Sequence, residues 1–173
     1  MAGLSIRRAH PQVRELPGLA RLAIRVAASK LGGPPTAGTM CVVVNPDGLV
    51  AFVRASYRKD WSMPGGYADS GEAPILACAR EVKEETGLVL RTKPRLLLTR
   101  EFSYRRDFFY IAGADPADGG EPSTAWEIAE FVWATWESRP PLDSACAFLT
   151  NAYTEGVARA IAVELATLRA ALD

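Results

Sequence analysis

Apolar runs at Met40–Asn45 and Leu49–Arg54 flank the turn residues Pro46, Asp47 and Gly48, which predicts a β-hairpin in or near a core. Trp61-Ser62-Met63 then leads into Pro64-Gly65-Gly66, a rigid turn followed by permissive backbone. Residues 73–86 read as a helix, with Pro74 suited to the first turn and Gly87 to the C-terminal stop. Beyond it, Arg95–Phe102, Asp107–Ile111 and Glu130–Thr135 read as strands, and Ala114–Thr124 as a polar loop. Arg139-Pro140-Pro141 breaks the chain before a helical pattern from Ser144 to Leu172, interrupted near Thr154–Gly156. At the other end, Leu19–Leu31 has apolar residues at three- and four-residue steps, an amphipathic helix closed by Gly32-Gly33-Pro34-Pro35. The chain therefore divides into a basic helical extension at 1–36 and an α/β domain at 37–173 that includes the C-terminal helix.

Composition narrows what such a chain does. In 173 residues, 20 Lys and Arg balance 20 Asp and Glu, so bulk positive charge for holding nucleic acid is absent. The balance hides an asymmetry, because residues 1–106 carry a net +8 and residues 107–173 a net −8. No apolar run approaches the length of a membrane span. Cys41, Cys78 and Cys146 are too widely spaced for a zinc knuckle and odd in number, and they predict buried thiols in a reducing, cytoplasmic setting. His10 is the sole histidine and sits in the leader, which excludes imidazole-rich metal sites and disfavours a Ser-His-Asp triad.

The informative chemistry lies on the helix over 73–86. At about 100° per residue, Glu81, Glu84 and Glu85 share one arc of about 100°, whereas Ile75, Ala79 and Val82 form a separate apolar stripe. Like charges so spaced destabilise an isolated helix, and a divalent cation removes the repulsion. Hard oxygen ligands without His or Cys point to Mg²⁺, with Mn²⁺ as the other ion of that kind. The Gly65-Gly66 turn upstream lets backbone approach an ion or a phosphate where a Cβ would block it.

Gly66, Glu72, Arg80, Glu81, Val82, Glu84, Glu85, Gly87 and Leu88 together match the Nudix box at every fixed position, and the chain resembles the Nudix hydrolase family over about residues 37–140. The resemblance implies an α/β/α sandwich around a mixed β-sheet. It further implies Mg²⁺-dependent hydrolysis of a pyrophosphate bond in a nucleoside diphosphate joined to another group, and often a homodimer. By the family's pattern Glu81, Glu84 and Glu85 are metal ligands with the Gly65 carbonyl, Glu72 and Arg80 brace the loop and orient Glu81, and Glu81 or a later glutamate activates water. Glu127 or Glu130, rather than Glu121, completes the metal set. A non-catalytic regulator that binds a nucleotide metabolite is the rival within the fold, disfavoured by the intact box. A leader and C-terminal helix that serve a membrane or partner contact form the rival from another class.

Substrate contacts are expected from Arg58, Trp61, Tyr67 and Tyr104. Tyr104 lies 16 residues beyond Leu88, where family members that cleave diadenosine polyphosphates tend to have a tyrosine. Tyr57, Phe108 and Tyr110 are further candidates for stacking on a base, and Lys59, Arg105 and Arg106 for meeting phosphates.

Overall fold

The computed structural model describes residues 7–8, 36–102, 104–119 and 128–172. The helix expected over Leu19–Leu31, and Glu127, lie outside them. The strands are β1 (Arg7–Arg8), β2 (Thr36–Val44), β3 (Val50–Ala55), β4 (Gly65–Tyr67), β5 (Arg95–Glu101), β6 (Arg105–Gly113) and β7 (Ile128–Ala134). The helices are α1 (Pro74–Thr86), the short α2 (Pro116–Gly119), α3 (Ser144–Ala152) and α4 (Thr154–Leu172). No helix among the described residues is long and apolar enough to cross a membrane.

The strands form one mixed sheet in the order β1-β7-β3-β2-β6-β5, and β4 joins it through β2. One edge of β2 runs parallel to β6 along its whole length. Its other edge is shared: Gly38–Met40 pair with β4 and Val44 pairs with β3. β3 and β4 therefore diverge from β2 like the arms of a fork.

Alternation along the strands sends side chains to two separate cores. Cys41, Val43, Ala51, Val53, Tyr110 and Phe131 face α1 and pack on Cys78 and Val82. Val42, Val44, Phe52, Phe109, Ile111 and Val132 face the other way and pack on Cys146, Leu149, Val157 and Ile161 of α3 and α4. This is the expected α/β/α sandwich.

Local signals explain the element ends. Pro74 stands at the first turn of α1, and Gly87 closes it in the left-handed conformation at φ 73°, donating its N–H to the Lys83 carbonyl. Asp143 caps α3 by accepting the Cys146 N–H at 2.9 Å. The expected break in the C-terminal helix falls at Tyr153, and Gly156 lies inside α4. The leader contributes Arg7–Arg8, which pair with Phe131 and Glu130 at the sheet edge.

Candidate functional site

The site begins at two glycines whose missing side chains allow two close approaches. A Cβ on Gly65 would lie 2.1 Å from the Thr39 carbonyl oxygen, so β4 can press against β2 only with glycine there. A Cβ on Gly66 would lie 2.5 Å from Glu81 Cδ, so the carboxylate rests directly on the bare backbone. The Gly65 N–H donates to Glu85 Oε2 at 2.8 Å, which ties the turn to the last turn of α1.

Arg80 organises the remaining carboxylates. Its Nε and Nη2 donate to the two oxygens of Glu72 at 3.0 and 2.9 Å, a bidentate pair. Its Nη1 donates to Glu81 at 2.8 Å and Glu84 at 3.0 Å, and Nη2 also reaches the Tyr67 carbonyl at 3.1 Å. Hydrogen bonding to Glu72, then the bond and charge of Glu81 and the charge of Glu84, raises the Arg80 pKa against the opposing effect of burial. Glu72 in turn accepts the Asp69 N–H at 2.7 Å, which fixes the loop before the helix.

No group of three His, Cys, Asp or Glu among the described residues stands ready as a metal cage, and the Arg80 guanidinium lies among Glu72, Glu81 and Glu84. The carboxylates already converge on one internal cation, their donors are hard oxygens, and the Gly66 backbone leaves a cradle that a Cβ would fill. Glu81, with its side chain 16% exposed, and Glu84, 59% exposed, therefore suit a Mg²⁺-type ion entering from solvent.

A cleft of about 100 Å³ opens beside this cluster, at the fork of the sheet. Met40 and Met63 supply apolar lining, and Arg58, Tyr67, Arg105, Asp107 and Asp143 supply the polar groups. Two ion pairs stand in its walls. Arg58 Nη1 donates to Asp143 Oδ2 at 2.6 Å, and Arg105 Nη2 donates to Asp107 Oδ2 at 2.8 Å, with Arg105 Nε 2.8 Å from Oδ1. Asp143 is held in place because its N–H donates to the Trp61 carbonyl at 2.8 Å, beside the Trp61 N–H bond to the Pro141 carbonyl at 3.0 Å.

Asp107 and Tyr67 belong to one row across the sheet, since both are register partners of Gly38 on β2. Gly38 has no side chain to fill the row, and a Cβ there would lie 2.5 Å from Asp107 Oδ1. Across that gap Arg105 Nη1 donates to the Tyr67 hydroxyl at 3.1 Å. Burial raises the Asp107 pKa, opposed by the charges of Arg105 and Arg100.

The structure thus brings together Glu72, Arg80, Glu81, Glu84, Glu85, Gly65, Tyr67 and Arg58. Glu130 is set apart from the box carboxylates: its carboxylate accepts Arg54 Nε at 2.8 Å, and strand alternation turns it to the α3 and α4 face, the cleft's face, rather than toward α1. Trp61 packs against the core on that same side, and the Tyr104 ring lies tilted against Phe102 with centroids 6.5 Å apart; neither lines the cleft. Sequence reasoning missed Asp107 and Asp143. The available signal for Asp107 was a charged residue at an inward position of an otherwise apolar alternation.

The family model for the NUDIX domain matches residues 34–147. CMP-5′-(N-acetyl-N-hydroxy-3-aminopropyl)phosphonate hydrolase of Streptomyces rubellomurinus is 35% identical over 96 residues, covering 54% of this chain and 44% of that protein. The 8-oxo-(d)GTP phosphatase of Mycolicibacterium smegmatis is 32% identical over 87 residues, covering 49% of this chain and 26% of that protein. The matched region is thus less than half the length of either relative. Among solved structures, one from a study of MutT from Aliivibrio salmonicida and Vibrio cholerae superposes with a TM-score of 0.58 at 17% identity. That match covers 73% of this chain and 98% of the other, and at this identity it speaks for the fold. With the NUDIX domain model matched over most of this chain and the box residues gathered at one site, the chain belongs to the Nudix hydrolase family.

Proposed function

We propose that this chain hydrolyses the pyrophosphate bond of a nucleoside diphosphate joined to a further group, with Mg²⁺ held by Glu81, Glu84, Glu85 and the Gly65 carbonyl. The observation that carries this reading is the continuity of carboxylate cluster and cleft, with Gly65 and Gly66 lining the cleft and touching Glu85 and Glu81. A bound divalent ion supplies screening of the polyphosphate, polarisation of the attacked phosphorus and acidification of its water. Glu81 is the base that receives the proton of the attacking water, because it lies against the bare Gly66 backbone and Arg80 fixes its orientation. Arg80 and Glu72 are positioning residues: their bidentate pair anchors the guanidinium that aims Glu81 and Glu84. Glu85 holds the turn through the Gly65 N–H, so the Gly65 carbonyl keeps its direction. The cleft takes part of the nucleotide between Met40, Met63 and the two ion pairs, a setting for a flat ring with polar edges.

The test is a panel of dinucleotide polyphosphates, nucleotide sugars, ADP-ribose and (d)NTPs, scored for phosphate-containing products with and without Mg²⁺. At least one class is cleaved only with the ion. Glu84→Gln and Glu85→Gln each lower kcat by about 10²-fold or more at unchanged melting temperature. Full turnover by either variant refutes the proposed ligand set.

A further inference from the structure

Arg100 lies directly across from Asp107 on the neighbouring strand, so it extends the row that runs through Gly38 to Tyr67. The strand pleat places it on the cleft's face of the sheet. Its guanidinium carbon is 4.6 Å from the centre of the Phe102 ring and 4.6 Å from that of Phe148. Phe148 stands three residues, one helical turn, beyond Ala145, which lines the cleft. Arg105, also in the cleft wall, lies 4.8 Å from the same Phe102 ring. Two rings and two guanidinium groups therefore stand together beside that wall.

Arg54, Arg58, Arg80 and Arg105 each donate to a carboxylate. Arg100 differs, because among the described residues its guanidinium makes no ion pair or hydrogen bond and rests on the two rings. A cation–π contact holds the plane of a guanidinium but leaves its in-plane N–H groups unspent. The carboxylate opposite does not spend them either, since Asp107 accepts from Arg105 Nη2 and lies against its Nε. The charge of Arg100 reaches Asp107 only as a through-space pull on its ionisation. Two cations against one carboxylate leave this end of the cleft net positive. A fork whose rotamer is already fixed loses little freedom when it meets a matching acceptor.

We propose that Arg100 is a specificity-determining clamp for an oxyanion carried by the part of the substrate beyond the scissile pyrophosphate. The proposal rests on the hydrolase reading of the cleft given above. A planar guanidinium with parallel N–H donors matches a carboxylate or a phosphate bidentately, and the geometry suits either.

Two measurements test it. In the first, the Nε–H resonance of Arg100, assigned by its loss in Arg100→Gln, is followed by NMR in the metal-free protein titrated with inorganic phosphate or with acetate. A saturable shift with either anion, retained in an Arg95→Gln control, supports the clamp, and the stronger of the two identifies the group. Absence of a shift with both overturns it. In the second, UDP-glucose and UDP-glucuronate, which differ in one distal carboxylate, are compared as Mg²⁺-dependent substrates. Arg100→Gln shifts the ratio of their KM values about tenfold against the glucuronate and leaves the ratio of kcat values alone; Arg100→Lys recovers part of the loss. A merely structural Arg100 treats both substrates alike, and an unchanged KM ratio overturns the proposal. Should wild-type protein cleave no member of the whole panel, the hydrolase reading fails, and the NMR titration still decides the clamp.

Discussion

Replacing Gly66 by alanine separates the fit of the site from the stability of the fold. The added Cβ would stand 2.5 Å from Glu81 Cδ and 2.6 Å from each carboxylate oxygen. Contacts of this kind settle near 3.5 Å, so something must retreat by about 1 Å. Gly66 is not at positive φ, so the backbone accepts alanine and the conflict is purely one of space. The obstructing atoms are the tip of a flexible side chain, and Glu81 swings away while β4 stays in place. The swing costs the 2.8 Å bond from Arg80, a partly exposed charge-assisted contact worth about 1 kcal/mol. For a chain of this size that is about 2–4 °C in Tm. Chemistry is far less forgiving, because a catalytic group misplaced by about 1 Å loses about 10²-fold in rate. Thermal melts and Mg²⁺-dependent product release on the best substrate of the panel read the two effects side by side. Introduced into Glu81→Ala, the same change should cost almost no stability, since the obstructing carboxylate is gone. A kcat within threefold of wild type, or a Tm loss above about 10 °C, refutes the reasoning.

Three further outcomes follow from the same geometry. Gly65→Ala meets backbone, with its Cβ 2.1 Å from the Thr39 carbonyl oxygen and 2.8 Å from Met40 Cα, so denaturant melts should show a loss of about 3 kcal/mol or more; a loss under about 1 kcal/mol would contradict the packing of β4 on β2. Burial holds Asp107 above its ordinary 3.8, so the folded state binds that proton more tightly than the unfolded chain, and the group's contribution to stability falls as pH rises past 3.8 and levels off above the folded value. Melts across that acid range should show wild-type stability minus Asp107→Asn stability declining with pH, and a difference that grows with pH would reverse the sign. Cys41, Cys78 and Cys146 are buried, and burial keeps the Cys146 thiol protonated while the neighbouring Cys78, then burial, does so for Cys41, so alkylation near pH 8 should proceed only at the rate of unfolding; fast labelling of native protein would refute their placement.

The sequence was most readable where local chemistry alone decides the structure. Pro74 and Gly87 bracket α1 because the first fits a helix start and the second a left-handed stop, and no distant partner is needed. β2 begins at Thr36, earlier than its apolar run, because Thr36–Thr39 gain their strand partners from β6 and β4 rather than from their own hydrophobicity. β6 likewise starts at Arg105, where charge hides a strand that ion pairs sustain, Arg105 with Asp107 along it and Arg106 with Glu101 across to β5. The Gly65-Gly66 pair reads as a turn, yet it forms β4, and its glycines serve close approach more than bending. The box residues could be named because their spacing on one helix gathers them. The cleft could not, since Gly38, Arg58, Asp107 and Asp143 come from four distant stretches that only the sheet brings together.

Tyr67 touches both halves of the site by different means. Its carbonyl receives Arg80, whereas its hydroxyl receives Arg105. The first contact belongs to the main chain and survives any replacement of the side chain; the second belongs to the ring and is lost with it. Mutation at this position can therefore redraw the walls of the cleft without disturbing the carboxylates gathered by Arg80. On the proposed reading, the choice of substrate through β6 and α3 is therefore separable from the chemistry of the α1 carboxylates.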